Sequence, residues 1–145
     1  MRKRKKFMVC VTQQKSCERL ISYGASRMVS ENDELHVIHV VKENWKYFGK
    51  LQETDALEYL FDVSKKHHAS LSVIKAKDIE STLADYAEKH KITNIIMGSS
   101  QEKDEQQNMI NRLQDRTKLQ VKFEIVPIND EEDVDIIDLA NVSIS

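Results

Sequence analysis

Short apolar runs and segments of helical period take turns along this chain, and that alternation constrains the fold more than any other feature. Phe7-Met8-Val9-Cys10-Val11-Thr12 and Thr93-Asn94-Ile95-Ile96-Met97 are nearly unbroken apolar runs. Strands covered on both faces read this way, as they do in parallel sheets. Leu35 to Val41 and Leu71 to Ala76 are two further strands rich in β-branched residues, and Lys118 to Val126 holds a fifth that Pro127 stops. Between them the period changes to that of a helix. Ser16 is placed to cap a helix that carries Cys17, Leu20, Ile21, Gly24 and Met28 on one face and ends near Ser30. Ala56, Leu57, Leu60, Phe61 and Ser64 mark a second helix, with Lys65 to His68 in its last turn, where the dipole favours cations. Asp78 caps a third, with Ile79, Leu83, Tyr86 and Ala87 facing inward, and Met109, Ile110 and Leu113 suggest a fourth.

The order is βαβαβαβαβ. Strict alternation with short links predicts an α/β fold, a Rossmann-like three-layer sandwich with a five-stranded parallel sheet. Ligands of such sheets lie at the carboxyl ends of the strands, beside the switch point. That directs attention to Thr12 to Ser16, to the connection after Val41, and to Gly98-Ser99-Ser100. Lys42 to Glu53, with Trp45, Tyr47, Phe48 and Gly49, is the longest irregular connection and a candidate binding loop.

The 145 residues suffice for one domain, placed at 1–127, followed by an acidic and apolar C-terminal tail at 128–145. The tail is either a frayed terminus or an arm that docks on this domain or on a partner. Lys plus Arg number 22 against 24 Asp plus Glu, a net charge of -2. That balance argues against nucleic acid or a membrane surface as partner, since both favour a basic excess. No apolar run is long enough for membrane insertion, and the basic start lacks the h-region of a signal peptide, so a cytoplasmic location is expected. Cys10 and Cys17 are too few for a disulfide scaffold and read as buried thiols in a reducing compartment.

Little in the sequence carries chemistry. His36 and His39 stand three apart on a strand and point to opposite faces, so they share no metal. His67 and His68 suit dipole compensation at a helix end. No metal-ligand spacing, thiol–histidine pair or glycine-framed nucleophile is present, so neither a metal nor catalysis is expected. The suggestive element is Ile95-Ile96-Met97-Gly98-Ser99-Ser100. A strand ending in Gly-Ser-Ser before a helix can offer N–H groups and hydroxyls to a phosphate, and it is equally a tight strand-to-helix turn.

The strand and turn at Thr93 to Ser99 resemble the fourth strand and phosphate loop of the universal stress protein family. Val9-Cys10-Val11-Thr12, followed by Ser16-Cys17-Glu18-Arg19-Leu20, is similar to the opening of a narrower branch, the stress-protein domain of the KdpD potassium and osmotic sensor kinase. The resemblance covers Lys6 to Pro127. ATP-binding members carry Gly-x-x-Gly, nine residues, then Gly and a hydroxyl residue. Here Gly98 keeps the first glycine, while Gln101, Asn111 and Arg112 take the later places. A Gln side chain crowds a phosphate, Asn111 is the milder change if its backbone is left-handed, and Arg112 is a candidate phosphate partner. The first loop, Thr12-Gln13-Gln14-Lys15, lacks the acid of the family's adenine pocket. The sensor-kinase branch implies cyclic di-AMP as a ligand, with Thr12, Gln14 and His39 standing where its pattern has hydroxyl and aromatic residues.

The resemblance and the empty catalytic inventory together predict a signalling or regulatory module, not an enzyme, that senses a nucleotide in osmotic or potassium stress. The nucleotide would be cyclic di-AMP or, less readily, ATP. Its expected ligand-binding residues are Thr12, Gln14, Ser16, His39, Gly98, Ser99, Ser100 and Arg112. A protein-interaction module without a ligand and an ATP-binding stress protein are the alternatives. A homodimer through Val121–Val126 is expected, because Val121, Phe123 and Ile125 alternate with Lys122 and Glu124 as on a half-exposed edge. A signalling protein is the other partner such a module would have.

Overall fold

The computed structural model describes residues 4–11, 14–42, 50–100, 102–117 and 121–127. Within them run β1 (Lys6–Cys10), α1 (Gln14–Arg27), β2 (Glu34–Lys42), α2 (Lys50–Lys66), β3 (Ser70–Ala76), α3 (Ile79–Lys89), β4 (Asn94–Gly98), α4 (Lys103–Arg116) and β5 (Lys122–Val126). All pairings are parallel, in the order β3-β2-β1-β4-β5. This is the Rossmann-like α/β fold that the alternation predicts.

β1 is central. It pairs with β2 on one side and β4 on the other, Val9 standing opposite both Val37 and Ile96. That position explains its unbroken apolar run, because helices cover both of its faces. Phe7, Val9 and Val11 pack with Leu20 and Ile21 of α1 and with Leu60 and Val63 of α2. Met8 and Cys10 pack on the opposite layer with Leu83 and Ala87 of α3 and with Ile110 and Leu113 of α4. Full burial of one such side chain is worth roughly 1.5–3 kcal/mol. α1 packs tightly on the sheet at Gly24, where an added Cβ would stand 2.8 Å from Leu35 Cδ1 and 3.0 Å from Val9 Cγ2.

The cap at Asp78 forms as its residue type predicts. The carboxylate accepts from the N–H groups of Glu80 (3.1 Å) and Ser81 (3.3 Å), two donors without partners inside the helix. The cap predicted at Ser16 does not form, because α1 begins at Gln14 and Ser16 lies inside the first turn. α1 also ends at Arg27, short of Ser30. The Asp33 carboxylate draws in the N–H groups of Val29 (3.0 Å), Ser30 (3.2 Å) and Lys5 (2.9 Å), which turns the chain into β2.

Three further expectations need correction. Phe61 is 55 % exposed, and the inward face of α2 is Leu60, Val63 and Ser64. The spacing of those three sets a helical phase that leaves Phe61 off the buried stripe. α2 begins at Lys50, so the connection before it is shorter than Lys42 to Glu53. Its Trp45, Tyr47, Phe48 and Gly49 lie outside the described residues, as does the tail from 128. Lys122 and Glu124 are not a matched pair of exposed edge charges. Lys122 is exposed, but Glu124 is 1 % exposed, under the end of α1, while Phe123 and Ile125 pack on the α3–α4 layer. Among the described residues no helix is long and apolar enough to cross a membrane.

Candidate functional site

The switch point lies between β1 and β4, since the chain leaves β1 towards β2 and leaves β4 towards β5. The site is therefore built from the carboxyl ends of β1, β2 and β4. At β1, the Val11 N–H donates to the Ile38 carbonyl at 2.9 Å and carries the pairing one residue past the strand. His39 Nδ1 stands 2.7 Å from the Val11 carbonyl. A carbonyl can only accept, so Nδ1 carries the hydrogen and the half-buried ring is fixed across the end of β1.

At β4, Gly98 stands opposite Val126 of β5, and the Ser99 N–H continues the ladder to the Val126 carbonyl at 2.8 Å. The turn then folds on itself. The Ser100 N–H donates to Oε1 of Gln106 at 3.1 Å, and Gln106 Nε2 donates to the Gly98 carbonyl at 2.8 Å. Ser100 Oγ accepts from the Glu102 N–H at 3.0 Å. The donors at Ser99, Ser100 and Glu102 are thus all engaged within the chain. The first turn of α4 carries Asp104 and Glu105, which complement its positive end.

Of the residues predicted to bind, His39 is brought to the ends of β1 and β2, and Gly98, Ser99 and Ser100 to the end of the neighbouring β4. Thr12 lies outside the described residues, as do the side chains of Gln14 and Ser16 and all of Gln101. Arg112 is not aimed at a phosphate seat. It stands about 13 Å along α4 from Lys103 at the usual helical rise. Its guanidinium grips Glu80 of α3 twice, Nε to Oε1 at 2.8 Å and Nη2 to Oε2 at 2.7 Å, so the carboxylate of another helix has taken it. Asn111 is helical, inside α4, and its Oδ1 accepts from Gln107 Nε2 at 3.0 Å; its backbone has no left-handed role. Gln106 is the turn residue that sequence reasoning missed. An amide on a polar helix carries no signal of the partners it will find.

The thiols are remote from nucleophilic chemistry. Burial pushes Cys10 up to about 12, and burial followed by the charge of Glu18 pushes Cys17 up to about 11. Among the described residues no cluster of three His, Cys, Asp or Glu is placed to hold a metal ion.

A cavity of about 360 Å³ lies at the other end of the sheet, lined by Met28, Asp33, Glu34, His36, His68 and Ser70 among others. Two of its acids, Asp33 and Glu34, are already engaged. Asp33 holds the α1–β2 turn. Glu34 pairs with Arg4 at 3.3 Å and accepts from His36 Nε2 at 2.9 Å. The His36 bond, more than the cations nearby, holds the Glu34 carboxyl below its ordinary range. His36 Nδ1 meets the Tyr86 hydroxyl at 2.9 Å, so both ring nitrogens are satisfied.

The model of the universal stress protein family matches residues 3–116. No curated protein matches the chain. Among solved structures, the hypothetical protein MJ0577 is similar at a TM-score of 0.59 and 14% identity, over 87% of this chain and 97% of that one. A universal stress protein family protein from Arabidopsis thaliana, solved with AMP bound, scores 0.57 at 12% identity, over 88% and 94%. The universal stress protein from Archaeoglobus fulgidus in complex with dAMP scores 0.54 at 12% identity, over 89% and 100%. At such identities the likeness concerns the fold.

Proposed function

This chain belongs to the universal stress protein family, and we propose that within it the chain is a non-catalytic regulatory module that senses an adenine nucleotide. The observation that carries this reading is the convergence of His39, Gly98, Ser99 and Ser100 on adjacent strand ends at the switch point. Relatives of the same fold were solved with AMP, dAMP and cAMP, which supports an adenine compound as the ligand class. The buried, protonated thiols argue against thiol catalysis.

Cyclic di-AMP is the ligand we favour, in a KdpD-like role in osmotic or potassium stress. ATP in the family's glycine-cradle manner is disfavoured, because the N–H groups of Ser99, Ser100 and Glu102 at the β4–α4 turn are already bonded. His39 offers Nε2 and a ring face on the β1–β2 side. Edge strand β5 supports a homodimer through Val121–Val126, since among the described residues no strand lies beside its outer backbone groups.

Native mass spectrometry of gently purified protein, followed by calorimetry with cyclic di-AMP, AMP and ATP, tests the reading. A co-purified adenine nucleotide, or micromolar binding lost on His39→Ala, is the expected result. Absence of heat from all three would leave the protein-interaction alternative standing. Light scattering that finds only monomer at tens of micromolar would remove the dimer.

A further inference from the structure

We infer that Gln106 sets ligand choice at the β4–α4 turn by keeping phosphoryl groups out of it. The inference rests on the reading that the strand-end cleft takes a nucleotide. An anion seat at a strand-to-helix turn needs bare N–H groups aimed at the anion and an unopposed helix dipole. At this turn the N–H groups of Ser99, Ser100 and Glu102 are engaged, and two acids oppose the dipole in the first turn of α4. The Gln106 carboxamide lies across the β4–α4 turn, accepting from the Ser100 N–H at 3.1 Å and donating to the Gly98 carbonyl at 2.8 Å. Glu102 spends its N–H on Ser100 Oγ, and Ser99 spends its own on Val126. A phosphate entering here would have to break the Ser100 bond and then face the Gly98 carbonyl once Gln106 swings away. It would also meet the carboxylates of Asp104 and Glu105 in the first helical turn, against Lys103.

Gln106 starts one full turn inside α4 and reaches back along the helix, and its own N–H is bonded to the Glu102 carbonyl at 3.0 Å. The side chain is therefore anchored by the helix while it closes the loop. A neutral carboxamide fills both a donor and an acceptor of the turn at once. The ligand that fits this turn presents an uncharged hydrogen-bonding edge to β4.

The test compares wild type with Gln106→Ala and Gln106→Glu. The probes are inorganic pyrophosphate, AMP and adenosine, measured by calorimetry, with hydrogen exchange followed at the Ser100 amide. Gln106→Ala is expected to speed Ser100 exchange, to raise affinity for pyrophosphate and AMP by about tenfold, and to leave adenosine unchanged. Gln106→Glu keeps an acceptor for Ser100 but adds a charge, and is expected to bind pyrophosphate no better than wild type. Equal pyrophosphate affinity in wild type and Gln106→Ala overturns the inference. So does Ser100 exchange that is equally fast in both proteins. If no adenine compound binds any of the three, the nucleotide reading fails, while the pyrophosphate comparison still decides the role of Gln106.

Discussion

Arg27 and Glu124 meet through two hydrogen bonds, Nε to Oε1 at 2.8 Å and Nη2 to Oε2 at 3.1 Å, and so tie the last turn of α1 to the edge strand β5. Asn94 Nδ2 donates to the same carboxylate at 2.8 Å, and the Tyr23 hydroxyl donates to Oε1. The Tyr23 phenol is pushed up to about 12, first by burial and then by that bond. Every oxygen of a buried charge is satisfied here, which is the condition under which one is tolerated. Glu124→Ala would leave the guanidinium, the phenol and the amide aimed at nothing. We expect a loss of about 1–3 kcal/mol and a Tm lower by several degrees, since Asn94 and Tyr23 lose their acceptor while the half-exposed Arg27 turns to water. A change below about 1 kcal/mol in urea unfolding would show that the cluster is not cooperative.

The same cluster sets an acid limit. Burial alone would raise the Glu124 carboxyl, but the bonds from Arg27, Tyr23 and Asn94 outweigh it, and the group titrates below its ordinary 4.5. A carboxyl lowered in the folded state contributes stability that is fully present above its unfolded pKa. That contribution is lost as pH falls through the folded value. Wild type should therefore hold its urea midpoint from pH 7 to about pH 5 and lose it progressively below. Glu124→Gln should start lower and fall less steeply below pH 4.5. Parallel curves for the two proteins would refute the assignment.

How much of this was legible beforehand follows from which interactions are local. The sheet was legible, because Phe7–Cys10 and Ile95–Met97 advertise strands covered on both faces, and Asp78 caps a helix that begins one residue later. At Glu124 the sequence misleads, because alternation on an edge strand suggests a solvated polar face. Its covering residues, Tyr23 and Arg27, lie about a hundred positions away. Arg112 resembled a phosphate partner for the same reason: Glu80 claims it from another helix. Gln106 could not be found at all, since its two partners belong to a turn whose shape the composition does not encode.

Gly24 is a position where size matters more than helix propensity. Replacing Gly by Ala within a helix gains about 1 kcal/mol of propensity. Here the new Cβ would stand 2.8 Å from Leu35 Cδ1 and 3.0 Å from the stiff Val9 Cγ2 in a fully packed layer. Overpacking costs about 1–3 kcal/mol, so Gly24→Ala should be neutral to destabilising, and Gly24→Val clearly destabilising. Thermal unfolding is expected to place Gly24→Val below wild type and Gly24→Ala between the two or level with wild type. A higher Tm for Gly24→Val would mean that α1 can move off the sheet without cost.

The two thiols should be silent until the protein unfolds. Cys10 faces the α3–α4 layer and Cys17 the α1–α2 layer, so the sheet separates them and no disulfide can join them in the native fold. Both are buried, with the thiols held at about 12 and about 11. The reactive species is the thiolate, and at pH 8 a group of pKa about 12 holds only on the order of one part in ten thousand of it. A thiol-reactive chromophore at pH 8 is therefore expected to label neither cysteine in native protein over minutes and both in denaturant. The slow native labelling that remains should follow the opening equilibrium, and so rise in Glu124→Ala as that variant's stability falls. Rapid labelling of native Cys17 would place it at a surface that α1 does not cover, and would remove its packing from the core described for that layer.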